Sequence, residues 1–447
     1  MNRETAEPSV RSIPGEKASK WVESHGSVAA PSTYVYEFVW DLSGDAEGPF
    51  CTDIDGNVLL DFTSHVAAAP LGYNNPKIMD RLREFDLVDP LKIAGQDFYV
   101  SSGQPPEDNP LPGPTALMQR LVDITDAYDM DTVFLSNSGA EAVENAIKIA
   151  YDESGGAKYA LTFEGAFHGR TLGALSLNRS KEVYRRRFPE IPSVQDVPFC
   201  EDRNCSAETC SCGFFAGGES RLRRKLDPER GYINPEEVAY IIMEPIQGEG
   251  GYRFPSETFM SEIAALVDEH DITLIADEIQ SGLGRTGKMW GADHYPIEPD
   301  VITSAKALRV GATISRSDVF PEERSRLSST WGAGDIIASL QGALTIDAIE
   351  EHDLLSNAVD RGRQFREHFE DAAPPGVTDV RGKGLMLAVE FDSKERRDTV
   401  QKAALQRGLL VLSCGHNVIR VLPPLDVTAR EINLGAQLLL AAIDDAV

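Results

Sequence analysis

From about residue 115 onward, short apolar runs alternate with stretches whose apolar positions recur every three or four residues. The runs are TVFL (132–135), KYALTF (158–163), VAYIIMEP (238–245), ITLIADE (272–278) and VITSAK (301–306). Between the first two, Ala140, Val143, Ile147 and Ala150 fall at helical spacing, and EIAALVDEH (262–270) predicts a second helix. Short, nearly continuous apolar strands separated by helices predict an α/β fold, with a mostly parallel sheet buried on both faces. Ligands of such sheets sit at the carboxyl ends of the strands. Here the runs end at Ser138, Glu244, Asp277 and Lys306.

The rest of the chain divides around this core. Residues 1–30 read as a loose polar lead-in, and 50–62 as two strands about a turn at Asp55-Gly56-Asn57. Residues 86–114, rich in Gly and Pro, read as an irregular connection. A helix over 338–351 leads into a strand (385–391), a helix (398–406) and a strand (417–422). The expected organisation is an N-terminal segment (1–95) that joins a small domain, a large domain (96–340) with a Cys-containing insertion near 199–220, and a small α/β C-terminal domain (341–447).

Composition narrows the partners. With 43 basic and 71 acidic residues the formal charge is −28, which excludes nucleic acid and anionic membranes as the main partner. Only 13 of the basic residues are Lys, which reads as a salt-adapted, halophilic protein, with an ordinary acidic cytosolic enzyme as the alternative. The polar N-terminus lacks an apolar signal core, and no run is long enough to span a membrane, so the expected location is cytoplasmic.

Lys306 lies in an apolar stretch, VITSAKALRV. An ammonium held among apolar residues tends to lose its proton, and the neutral amine forms Schiff bases. Asp277 ends another apolar strand, where a carboxylate needs a cationic partner or a special role. Pyridoxal phosphate chemistry requires such a pair: a Lys for the aldehyde carbon and an Asp to keep the ring nitrogen protonated. SNSGAEA (136–142) opens a helix with small residues, which suits a phosphate at the helix N-terminus. In GAFHGRT (165–171), Phe167 suits stacking on a ring or core packing, and Arg170 suits a carboxylate. His168 reads as a supporting residue rather than a base.

These segments, with EPIQGEGG (244–251), DEIQSGLGRTG (277–287) and NSGAEAVENAIK (137–148), resemble the class III, or ω-, aminotransferases of fold type I, over roughly residues 50–435. The 29-residue spacing from Asp277 to Lys306 is also similar to that family's. The resemblance implies pyridoxal 5′-phosphate as cofactor. It implies that Ser138, Gly139 and Ala140 bind its phosphate, Phe167 and Ile279 flank the ring, Gln280 meets the phenolic oxygen, and Glu244 lies beside the pocket. Lys306 would hold the cofactor and shuttle the proton. Thr330, in SSTWGAG, resembles a residue that reaches the phosphate of a neighbouring subunit. That implies a homodimer, or a dimer of dimers, with shared active sites. Two departures stand out: ALRVGATIS replaces a glycine-rich stretch after the Lys, and Gly334-Asp335 replaces an Asn-Pro.

The resemblance also implies the substrates. Arg170 would bind the α-carboxylate of 2-oxoglutarate, and Arg420 a second carboxylate, with Glu249 pairing Arg420 when the donor leaves it unused. The implied reaction is ping-pong transfer from a 4-aminobutyrate-like donor to 2-oxoglutarate. A lysine 6-aminotransferase or an acetylornithine/ornithine-type enzyme is the alternative, and a racemase using the same cofactor is a second. Cys200, Cys205, Cys210 and Cys212 have the spacing C-x4-C-x4-C-x-C. Four thiolates suit zinc or an iron–sulfur cluster, but the paired C-x2-C of common zinc sites is missing. The expectation is therefore no metal, with a surface insertion of reduced thiols. A catalytically inert scaffold with a metal-binding insertion is the non-enzymatic alternative, opposed by the intact Lys306 and Asp277.

Overall fold

The computed structural model describes residues 1–32, 38–85, 95–96, 105, 113–202, 204–330 and 332–446. Most of the expected irregular connection over 86–114 lies outside them. The chain divides into two compact units, one of residues 1–80 with 353–447, the other of residues 81–352.

In the first unit, the turn at Gly56 (φ +83°) folds β1 (Phe50–Thr52) antiparallel onto β2 (Val58–Asp61). The lead-in is not loose. Ser9 bridges Val58, and Glu16–Gly26 is a helix. Arg3 is fixed at 2.9 Å from Asp426 and 2.7 Å from Glu431. Polarity concealed this, because hydrogen bonds and ion pairs tie the segment down together with a few isolated apolar anchors, Val10, Ile13 and Ala18, that make no periodic face.

The second unit is built on one seven-stranded sheet. Its strands are β3 (Thr132–Ser136), β4 (Tyr159–Phe163), β5 (Val194–Val197), β8 (Val238–Met243), β9 (Leu274–Asp277), β10 (Val301–Ser304) and β11 (Gly311–Ser315). A short hairpin, β6 (Phe215–Ala216) with β7 (Glu219–Ser220), lies outside it. The order across the sheet is β3-β11-β10-β9-β8-β4-β5. All neighbours are parallel except β11, which runs antiparallel to both β10 and β3.

Helices cover both faces, which is why the strands read as continuous apolar runs. Tyr240 and Ile242 pack on the side of helix Gly139–Glu153, with Val143, Ala146 and Ile147. Ile241 and Met243 pack on the other side, with Phe259, Ile263 and Leu266 of helix Glu257–His270. Within this sheet, two strands, β5 and β11, have no counterpart among the sequence-predicted elements. VQDV and GATIS are short and carry small or polar residues, so their apolar periodicity is weak.

The first unit is completed by a four-stranded antiparallel sheet, β12 (Val377–Lys383), β13 (Met386–Phe391), β16 (Val418–Val421) and β15 (Leu412–Cys414), while β14 (Leu409–Leu410) joins β2 in parallel. Helices Leu354–Ala372, Lys394–Gln406 and Ala429–Asp445 accompany them. The unit boundaries fall at 80/81 and 352/353, whereas the sequence placed them at 95/96 and 340/341. Residue 340 lies in mid-helix: Ile336–Glu351 is one continuous element that packs against helix Pro114–Asp123 of its own unit.

Candidate active site

The carboxyl ends of β3, β8, β9 and β10 bring the expected residues of the large unit together. Ser138 caps helix Gly139–Glu153, its hydroxyl accepting from Glu141 N at 3.2 Å. The first bond of the helix ladder runs from Ala142 N to Ser138 O, so the Gly139 and Ala140 N–H groups lie outside the ladder at the positive end of the dipole. Two loops press on this cradle. A Cβ added at Gly139 would lie 2.7 Å from Ile279 Cδ1, and one at Gly169 (φ +143°) would lie 2.8 Å from Ala140 Cβ. The small residues of the motif are therefore required by close approach as well as by the helix start.

Asp277 ends β9 and is buried. Its Oδ2 lies 2.7 Å from His168 Nδ1, and its Oδ1 accepts from Ile279 N at 3.1 Å. His168 is itself oriented by Asn178, whose Oδ1 accepts from His168 N at 2.7 Å. The buried His168 Nε2 has no hydrogen-bond partner among the described residues. His168 therefore sets the Asp277 carboxylate, in agreement with its reading as a supporting residue. Asn178 gave no sequence signal.

Glu244 is buried, and its two oxygens accept from Phe167 N (2.9 Å) and Gly248 N (2.8 Å). Burial pushes its pKa up to about 7; nearby His168 works against that rise and Asp277 adds to it. Glu244 thus positions Phe167 through its backbone. Gln280 lies against Gly248, where an added Cβ would sit 2.9 Å from its carboxamide. Glu278, the residue after Asp277 in the same motif, was missed as a builder of the site. Its Oε2 accepts from Ser281 Oγ and Gly291 N, and its Oε1 from Ala292 N, which fixes the loop after β9. Burial raises its pKa to about 7 as well.

Lys306 leaves the sheet just past β10, which pairs with β9 in a register that sets Thr303 opposite Asp277. It opens a single 3-10 turn, Lys306–Leu308, that ends in Arg309 at φ +65°. Lys306 is half-buried rather than enclosed, three residues past the Thr303 that faces Asp277, so position at the strand end rather than wholesale desolvation distinguishes it. The chain then returns as β11, whose Gly311 pairs with Ser136.

That return explains a glycine. A Cβ at Gly311 would lie 2.2 Å from Ser136 Oγ and 2.3 Å from Ser138 O. The second clash is with backbone, so Gly311→Ala must shift the cradle. Overpacking of this kind costs about 1–3 kcal/mol, and we expect cofactor retention to weaken by about tenfold or more. Fluorescence titration of the stripped variant checks this, and wild-type affinity would refute it.

Thr330 Oγ1 accepts from Asn137 Nδ2 at 2.9 Å, beside the cradle of its own chain. Arg170 is exposed, its guanidinium 4.5 Å from the Tyr184 ring centroid and 5.5 Å from that of Phe167. Glu249 Oε1 accepts from Lys181 Nζ at 2.6 Å and from Tyr184 Oη at 2.8 Å, two partners the sequence had not singled out. Arg420 is buried on β16 in the other unit, where it pairs across the sheet with Ala388 and Leu412. Cys200, Cys205, Cys210 and Cys212 converge in the insertion before β6.

Residues 42–443 match the family described as Aminotransferase class-III. The chain belongs to the class III aminotransferases. An acetylornithine aminotransferase of Archaeoglobus fulgidus is 33% identical over 399 residues, covering 88% of this chain and 93% of that protein. An alanine/serine racemase of Pyrococcus horikoshii is 30% identical over 458 residues, covering 97% and 91%. Among solved structures, a lysine aminotransferase from M. tuberculosis superposes with a TM-score of 0.81 at 28% identity, over 96% of this chain and all of that one. As a class III aminotransferase of fold type I, this chain is a pyridoxal phosphate-dependent transaminase.

The residues present fit that cofactor. A helix N-terminus with two N–H groups outside its ladder suits the phosphate. Asp277, buried and braced by His168, suits a protonated ring nitrogen, and the buried Gln280 Oε1 has no hydrogen-bond partner among the described residues. Among the described residues no helix is long and apolar enough to cross a membrane.

Proposed function

We propose that this aminotransferase takes its amino group from a donor of the acetylornithine, ornithine or lysine type and passes it to 2-oxoglutarate. The observation that carries the reading is the similarity to the A. fulgidus acetylornithine enzyme over most of both chains. The M. tuberculosis lysine enzyme supports it from the side of structure. Those names favour the ornithine–lysine alternative over the 4-aminobutyrate-like donor that the motifs first suggested.

In this proposal the bound cofactor supplies an electron sink. Lys306 holds the cofactor and moves the proton on the donor carbon, and Asp277 keeps the ring nitrogen charged. Ser138, Gly139 and Ala140 hold the phosphate, Phe167 and Ile279 flank the ring, Gln280 meets its phenolic oxygen, and Glu244 supports Phe167. Arg170 takes the acceptor's carboxylate, and Arg420 a second one, with Glu249 as the counter-ion when that site is idle. Thr330 is proposed to act across a homodimer or dimer of dimers. The acidic surface keeps the chain soluble at high salt.

A racemase is kept as the second reading because the P. horikoshii relative spans 97% of this chain. A donor panel with 2-oxoglutarate at high salt, with chiral analysis of each amino acid, separates the readings. We expect glutamate to form fastest with acetylornithine, ornithine or lysine. A clear preference for 4-aminobutyrate would restore the first donor. Interconversion of enantiomers without glutamate formation would make the protein a racemase.

A further inference from the structure

The sulfur atoms of Cys200, Cys205, Cys210 and Cys212 all lie within 4.8 Å of one another. None of these cysteines is in a disulfide. The spacing C-x4-C-x4-C-x-C did not predict such convergence, because no tight C-x2-C turn delivers two ligands at once. The fold delivers them by turns instead. Asp202 Oδ1 accepts from Asn204 N at 3.0 Å, its Oδ2 accepts from Ser211 Oγ at 2.9 Å, and Ser206 Oγ accepts from Thr209 N at 3.2 Å.

No described residue from 200 to 214 is in a helix or strand. Ordering such a loop costs on the order of 1–2 kcal/mol per residue in backbone entropy. Cys200 and Cys205 are buried in a cluster with Phe199, Phe214 and Phe259, and Cys210 and Cys212 pack at its edge. Donors already point at the sulfurs: Phe215 N reaches Cys210 Sγ at 3.4 Å, and Ser256 Oγ reaches Cys200 Sγ at 3.7 Å. Donors of this kind orient and stabilise metal-bound thiolates.

We propose that these four cysteines form a structural site for one thiophilic, tetrahedral divalent cation, with zinc the first choice. A zinc ion with four sulfurs at about 2.3 Å sets them about 3.8 Å apart along the tetrahedron's edges. The observed spread, from 3.1 Å between Cys210 and Cys212 to a limit of 4.8 Å, brackets that edge. An iron–sulfur cluster interposes several irons and sulfides and holds its cysteines further apart. Four protein ligands leave no open position, so the ion is structural rather than catalytic. Binding releases the thiol protons to solvent and involves no change of oxidation state.

The test uses the holoenzyme purified without chelators. Elemental analysis is expected to find about one zinc per chain, with the four thiols unreactive until a chelator is added. Stripped, reduced protein loaded with Co2+ is expected to show intense thiolate-to-metal absorption. Cys210→Ser should lose most of the zinc and lower Tm while keeping the cofactor's visible absorbance. Cys51→Ser and Cys414→Ser, in the other unit, should keep the zinc. If Cys210→Ser does not fold, zinc and cobalt binding by the wild type decide. Reduced wild type that keeps no zinc after incubation and desalting, or cobalt without thiolate absorption, overturns the proposal.

Discussion

Lys306→Ala is expected to end turnover while leaving the fold intact. Wild type should stay yellow after gel filtration, and the variant should lose its colour because nothing covalent retains the cofactor. The rate should fall by at least the roughly 10²–10⁴-fold that a positioned proton-transfer group contributes, and further with the loss of the amine as nucleophile. Little structure is at risk. Lys306 is half-buried and opens a single turn between β10 and β11, whose pairing is carried by backbone and by neighbouring apolar residues. Circular dichroism and Tm near wild type, with no glutamate formed, are the expected results. A variant that keeps its colour through filtration, or retains a tenth of the activity, would place the nucleophile elsewhere.

Asp277→Asn carries the second-largest effect. The carboxylate is buried, 2.7 Å from His168 Nδ1, and its other oxygen accepts from Ile279 N. An amide keeps the size and can still accept from Ile279, but it removes the negative charge proposed to keep the ring nitrogen protonated. We expect kcat to drop by about 100-fold or more, close to 3 kcal/mol of transition-state stabilisation. Cofactor binding should survive in weakened form, since the phosphate cradle is untouched. His168→Ala removes the contact to Asp277 Oδ2 and leaves only the bond from Ile279 N to Oδ1. It should show a smaller loss and a shifted pH profile of kcat, which a purely structural role would not produce. Normal turnover in Asp277→Asn would remove the assignment.

Some of this was legible in the chain itself. The strands ending near Ser138, Glu244, Asp277 and Lys306 were visible because burial on both faces makes them uninterrupted apolar runs, so a polar residue at the end of each stands out. The resemblance then assigned roles to Phe167, Ile279 and Gln280, whose residue types alone are ambiguous. The antiparallel return of β11 was not legible, because GATIS, four small residues around a single Ile, carries no periodic signal. Nor were the partners of each site residue. Asn178 behind His168, Lys181 and Tyr184 on Glu249, and the three donors on Glu278 come from loops, where no periodicity ties one residue to another.

The cysteines show the same division most clearly. Their number and order are in the sequence, but a spacing of C-x4-C-x4-C-x-C leaves the distances between sulfurs open, since each intervening residue adds freedom. Only the turns around Asp202 and Ser206 bring the four Sγ atoms within 4.8 Å. By itself the sequence determined the family and the cofactor chemistry, and it singled out the two residues proposed to carry that chemistry. Apolar pattern and residue type are local properties, and Lys306 and Asp277 are read from them directly. Tertiary structure decided which side chains brace Asp277 and which glycines the cradle cannot lose. It also decided that four scattered thiols share one site. Each of these depends on distances between segments far apart in the chain, and those distances exist only once the sheet has set the register of its strands.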